Sequence, residues 1–105
     1  MYKLVFFVPE THLEKVKTAV FNAGAGRIGN YDQCCWQIAG LGQFRPLAGS
    51  NAYLGELGQL EQVPEYRVEM VCEEAQIKPA IAALRLAHPY EEPAIDAWRL
   101  ADVAL

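Results

Sequence analysis

Several things are scarce in this sequence, and each scarcity removes a class of function. No stretch approaches the roughly 18 unbroken apolar residues of a membrane span. The run Leu4–Val8, stopped by Pro9, Glu10 and Thr11, is too short for the core of a signal peptide. The expected compartment is therefore the cytoplasm, with no membrane partner. Positive charge is thin: 9 Lys and Arg stand against 13 Asp and Glu, a net charge of −4, and the basic residues are scattered. Nucleic-acid binding needs a concentrated basic face, so no nucleic acid is expected as a partner. There are three cysteines and two histidines. Cys34 and Cys35 are neighbours, a spacing that does not meet the geometry of a structural disulfide, and reduced thiols are expected. A CxxC pair, a Walker phosphate loop, HExxH and GxSxG are all absent, which removes the strongest catalytic signatures.

What is present describes a small folded domain. Of 105 residues, 52% are hydrophobic and 21% charged, a balance too apolar for disorder. Residues 1–105 are expected to form one domain. Tyr2–Val8 reads as a strand, aromatic and β-branched, ended by Pro9 and apolar enough for a central position. Thr11 and Glu14 have capping-box spacing, and Leu13, Val16, Val20 and Ala23 then recur at helical spacing up to a stop at Gly24. All eight glycines lie between Gly24 and Gly58, so the middle of the chain is expected to carry the loops.

Within that middle, Asn30–Ala39 reads as a strand with Trp36 and Ile38 toward the core. Gly40–Gly58 is a long excursion that signals a functional loop or an oligomer contact, with room for a short hairpin. Glu65–Glu73 alternates, placing Tyr66, Val68, Met70 and Cys72 inward and Glu65, Arg67 and Glu69 outward. A second helix is expected from around Ile77–Pro79 to His88–Pro89, and a last strand from Ala94 to Leu100. The order strand, helix, strand, strand, helix, strand is that of an α+β ferredoxin-like βαββαβ sandwich. In it a four-stranded antiparallel sheet carries two helices on one face.

Four constellations could carry chemistry. His88, Glu91 and Glu92 gather an imidazole and two carboxylates in the turn His88–Pro93, which suits a divalent cation such as zinc or copper if His12, Asp32, Cys34 or Cys35 completes the set. The alternative is a structural helix exit, with His88 serving free carbonyls and the prolines fixing the turn. Gly24–Tyr31, with Arg27 and Tyr31, is a glycine-rich turn that could hold an anion. It closes a helix rather than opening one, so a C-cap explains it better than a dinucleotide loop does. Cys34 and Cys35, on a strand without a visible base, read as small apolar residues rather than nucleophiles, and Cys72 reads as core. Phe44, Arg45, Tyr53 and Leu54, together with Tyr90, would form an apolar loop surface for a ligand or a partner, with a subunit interface preferred.

Three segments carry a family resemblance: G-x-G-x-x-G-x-Y at Gly24–Tyr31, G-x-F-x-P at Gly42–Pro46, and HPYEEP at His88–Pro93. Together and in this order they resemble the PII/CutA-like domain of Nif-three-like (NGG-one-interacting factor) proteins, in its stand-alone form. The HPYE-x-P turn is also similar to that of CutA divalent-cation-tolerance proteins. The resemblance covers nearly the whole chain and implies a PII- or CutA-like ferredoxin fold, a trimer, and metal or ligand sites in clefts between subunits. In the larger family a separate domain carries a two-metal hydrolase-like site built from several histidines. With His12 and His88 alone, this chain does not inherit that activity. The expectation is a non-catalytic, homo-oligomeric binding module for a divalent metal or small ligand, with His88, Glu91, Glu92, His12 and Asp32 as ligands. The alternative is a protein-interaction module that uses no small ligand.

Overall fold

The computed structural model describes residues 1–103 of the chain. Tyr2–Pro9 forms strand β1, and every second residue, Leu4, Phe6 and Val8, is wholly buried. A 3₁₀ turn over Glu10–His12 leads into helix α1, Leu13–Asn22, whose buried stripe is Leu13, Val16 and Val20. The capping box expected from Thr11 and Glu14 does not form. The chain tightens into the 3₁₀ turn instead, Thr11 turns its hydroxyl to Nδ1 of His12 (2.9 Å), and no side chain caps the helix.

The other end of α1 behaves as expected. Gly24 takes φ +102°, its N–H bonds to the Phe21 carbonyl (3.0 Å), and the N–H of Ala25 reaches back to Val20 (3.1 Å). That pair of bonds is a Schellman cap, which needs a residue tolerant of positive φ. A Cβ there would also strike the Gln76 side chain of the second helix, so Gly24 serves close packing as well.

Strand β2, Trp36–Phe44, is displaced toward the C-terminus from the expected Asn30–Ala39. Gln33 at φ 56° breaks any extended run before it. Strand β3, Glu61–Cys72, starts four residues earlier than its apolar alternation suggests, and residues 45–60 are loop with no extra hairpin. Helix α2, Glu74–Ala87, also begins earlier than expected, so Pro79 falls in its second turn rather than its first. There it deletes one helical hydrogen bond. The buried residues of α2 are Ile77, Ala80 and Leu84. Strand β4, Ile95–Arg99, completes a sheet of order β2-β3-β1-β4, antiparallel throughout.

Both helices pack on the face that carries Leu4, Phe6, Val8, Val68, Met70 and Cys72. Each fully buried Leu or Phe there contributes on the order of 1.5–3 kcal/mol. Side chains paired across neighbouring strands share a face, so the register decides the rest. Trp36 pairs with Glu69, and Glu69 with Val5, while Ile38 pairs with Arg67. Trp36 and Ile38 thus lie on the face away from the helices, 58% and 51% exposed, and not in the core as their sequence pattern suggested. Among the described residues no helix is long and apolar enough to cross a membrane.

β1 and β4 run side by side from Tyr2 opposite Arg99, and the N–H of Leu100 bonds to the Met1 carbonyl at 3.0 Å. β1 ends at Pro9 opposite Glu65, whereas β2 and β3 continue together to Phe44 and Glu61. The sheet therefore narrows to a two-stranded arm, and the long 45–60 loop folds back beside its root.

Candidate functional site

The site grows from the exit of α2. After Ala87 the backbone turns extended at His88 (φ −72°, ψ 137°), which places the imidazole beneath the end of β1. His88 is buried, with Nε2 2.7 Å from the Phe7 carbonyl oxygen and Nδ1 3.1 Å from the backbone nitrogen of Tyr90. A backbone N–H can only donate, so Nδ1 accepts from Tyr90 and the ring proton sits on Nε2, donating to Phe7. Burial pulls the pKa of His88 below its ordinary value, although the Phe7 carbonyl and the Glu65 carboxylate work the other way. The imidazole is a neutral tie between β1 and the turn after α2, with both nitrogens engaged.

That tie sets Tyr90. Its ring lies 5.0 Å from His88, 5.9 Å from Phe44 and 6.2 Å from Tyr53 between centroids, and Tyr53 meets His12 edge-on at 5.6 Å. The loop is held against this cluster by the N–H of Asn51, which donates to Oε1 of Glu91 at 2.8 Å. Between the loop, the root of the arm and the turn lies a cavity of about 410 Å³, walled by Phe44, Leu47, Tyr53, Leu54 and Tyr90. Cavities of this size and apolar character are typical of small-molecule sites. Arg45, Glu65, Glu91 and Glu92 supply the charged part of its lining.

Glu65 reaches the cavity because β2 offers no side chain in its way. It pairs with Gly40, and its carboxylate lies over Gly42, in the space that a Cβ at Gly42 would need. The buried hydroxyl of Tyr90 has the Glu65 carboxylate as its acceptor, at a geometry short of an ideal hydrogen bond. It lies near enough to Glu65 that burial and the carboxylate together push the phenol's pKa well up, so it keeps its proton.

The residues singled out from sequence divide into two places. Phe44, Arg45, Tyr53, Tyr90, Glu91 and Glu92 come together around the cavity, with His88 behind Tyr90 and His12 behind Tyr53. Arg27, Tyr31 and Asp32 do not join them; they line a separate polar hollow formed by the turn after α1. Among the described residues, the five expected metal ligands are accordingly not brought to one place. Among the described residues no group of three or more His, Cys, Asp or Glu side chains is placed to hold a metal ion. Cys72 is buried in the core, with a thiol pKa raised mainly by burial, while Cys34 is half-buried and Cys35 exposed. Sequence reasoning missed Phe7 and Glu65, which β1 and β3 respectively bring in from the face away from the helices. The available signal was the pair Gly40 and Gly42, which clears one face of a strand at period two.

No protein-family model matches the chain. It is 46% identical over 102 residues to a protein of Halalkalibacterium halodurans named GTP cyclohydrolase 1 type 2 homolog, covering 97% of this chain and 27% of that relative. The chain thus spans about a quarter of the length of such relatives. A Bacillus cereus protein related to NIF3 superposes with a TM-score of 0.82 at 42% identity, over 96% of this chain and 26% of that one. The periplasmic divalent cation tolerance protein CutA of Archaeoglobus fulgidus superposes with a TM-score of 0.68 at 14% identity, over 100% of this chain and 88% of its own, a likeness of fold alone.

Proposed function

We propose that this chain, which corresponds to the CutA-like domain of NIF3-related proteins, is a binding module that takes a small organic ligand in the aromatic cavity beside Tyr90. The observation that carries this is the cavity itself. Four aromatic residues, Phe7, Phe44, Tyr53 and Tyr90, and two leucines line a space of about 410 Å³. The Glu65 carboxylate, which takes part in no ion pair among the described residues, lies in its lining beside the buried hydroxyl of Tyr90. Two tethers, His88 to Phe7 and Asn51 to Glu91, hold the walls in place without a ligand, and such preorganisation lowers the cost of binding. His88 offers no free nitrogen to act as a base, which favours binding over catalysis.

A divalent ion such as zinc or copper has less support as the occupant. His88 would have to release Phe7 or Tyr90 to present a lone pair, and further ligands would have to come from another subunit. The organic ligand needs no rearrangement. Amide chemical-shift mapping with a library of small aromatic and aliphatic fragments tests this directly. Saturable shifts confined to Phe44, Tyr53, Leu54 and Tyr90 are expected. Shifts in none of these residues with any fragment would sink the proposal, and zinc-dependent shifts at His88 would restore the metal.

A second observation favours self-association, with a trimer as the expected form. Trp36, Ile38 and Trp98 share the sheet face that carries no helix, and all three are substantially exposed. Large apolar groups gathered on one face mark a surface that another protein covers. The same face could equally receive a different protein, and the mass of the purified chain in solution separates the two.

A further inference from the structure

We infer that the cavity is selective for an organic cation bearing N–H donors, such as an amidinium, guanidinium or primary ammonium on a flat apolar body, with Glu65 as its charge partner. The inference rests on the reading of the cavity as a ligand site and adds the chemistry of what enters it. Three carboxylates, those of Glu65, Glu91 and Glu92, face one guanidinium, that of Arg45, around the lining. Of the three, Glu91 has already committed an oxygen to the Asn51 N–H. Glu65 takes part in none of the ion pairs among the described residues, which join Lys3 and Arg67 to Glu69, Lys17 to Glu14, and Arg99 to Glu74. Its carboxylate is parked over a glycine, beside the buried phenol of Tyr90, whose hydroxyl faces it as a donor.

A ligand with two or more N–H donors can meet the remaining lone pairs of the Glu65 carboxylate. Those contacts are charge-assisted bonds, while the Tyr90 hydroxyl steadies the same carboxylate from its buried side. The walls agree with this choice. The π faces of Phe44, Tyr53 and Tyr90 attract positive charge and repel negative charge, and Leu47, Leu54 and Pro46 suit the apolar remainder of the molecule. An anionic ligand would find a single partner in Arg45 and opposition from three carboxylates.

The test uses three probes of one shape and different charge: benzamidine, benzamide and benzoate, each titrated into the full chain and followed by amide shifts. Benzamidine should bind at least tenfold more tightly than benzamide, with benzoate weakest. Glu65→Gln should erase the advantage of benzamidine while leaving benzamide unchanged, and Tyr90→Phe should weaken benzamidine by a smaller factor. Unchanged thermal unfolding in both variants guards against loss of fold. Benzamide or benzoate binding as well as benzamidine would overturn the cation assignment yet leave the cavity a ligand site. Benzamidine binding that is indifferent to Glu65→Gln would also overturn it. No shift at the cavity with any of the three would overturn both the assignment and the proposed function beneath it.

Discussion

The carboxylate of Glu65 occupies the space where a side chain at Gly42 would begin. The two residues belong to neighbouring strands, and the absence of a Cβ on one decides the position of a charge on the other. Gly42→Ala should therefore move the carboxylate without disturbing the sheet, because the end of a glutamate side chain can swing aside. Urea denaturation should show a stability change within about 1 kcal/mol, either way. Benzamidine affinity should nevertheless fall severalfold. A variant that binds as the wild type does would mean the position of Glu65 is not set by Gly42.

His88 should prove structural to a degree unusual for a histidine beside a cavity. His88→Ala leaves the Phe7 carbonyl and the Tyr90 N–H without partners in a buried place. Each orphaned group costs about 1–3 kcal/mol, so a loss of roughly 2–4 kcal/mol is expected in urea unfolding. Tyr90 should also lose its fixed orientation, visible in its ring proton shifts. A loss below about 1 kcal/mol would show that water or a neighbour replaces the imidazole without difficulty.

The same residue predicts a pH dependence. Burial lowers the folded-state pKa of His88 below the ordinary 6.5, so below that value the unfolded chain binds a proton more readily than the folded one. Stability then rises with pH wherever the unfolded state holds more protons. The contribution is fully present above about pH 6.5 and is lost as pH falls from there through the folded pKa. Glu74, lowered by its hydrogen bond and ion pair with Arg99, acts in a more acid window, below its ordinary 4.5. Unfolding measured at about pH 7.5 and about pH 5 should show a drop that largely disappears in His88→Gln. An NMR titration of His88 with a midpoint above 6.5 would contradict the sign.

The thiols should separate by position. Cys35 is exposed and should react readily with an alkylating reagent, whereas Cys72 is buried and its raised pKa keeps it protonated. Mass spectrometry of peptides after brief alkylation should find Cys72 unmodified in buffer and fully modified in denaturant. Modification of Cys72 in buffer would mean that the face between β3 and the helices opens easily.

For self-association, Trp36→Glu combined with Ile38→Glu should lower the mass found by sedimentation equilibrium while leaving urea unfolding of the monomer nearly unchanged. Both side chains are more than half exposed in the single chain, so little of the core depends on them. An unchanged mass would clear this sheet face of the role.

Much of the fold was legible because period and punctuation are local properties. The alternation from Tyr66 to Cys72 marks the covered face of β3 correctly, and Gly24 marks the end of α1 through a conformation that glycine readily adopts. The faces of β2 were misread for a physical reason. Trp36 and Ile38 alternate as a core strand does, but which face of the sheet receives the helices is set by pairing with β3, more than twenty residues away. The capping box failed similarly, since Thr11 found a nearer partner in His12 than the helix amides. In the site, the aromatic residues of the loop and the turn were visible as a group. Glu65 was not, because an outward glutamate on an alternating strand looks like any solvated charge until a strand with two glycines is laid beside it. His88 shows the limit from the other side: one sequence, HPYEEP, serves a metal ligand or a structural tie, and only its neighbours Phe7 and Tyr90 tell them apart.

β1 and β4 lie next to each other in the sheet, so the backbone comes in at Tyr2 and goes out at Arg99 through the same small doorway. A polypeptide carrying this fold between two of its other segments would bulge outward there without those segments being pulled apart. Two adjacent strands would form the stalk of such a lobe, and the cavity, at the opposite end of β1 near Phe7, would be held far from the junction. Motion of the lobe about its stalk would then swing the binding end through a wide arc while hardly disturbing the joint.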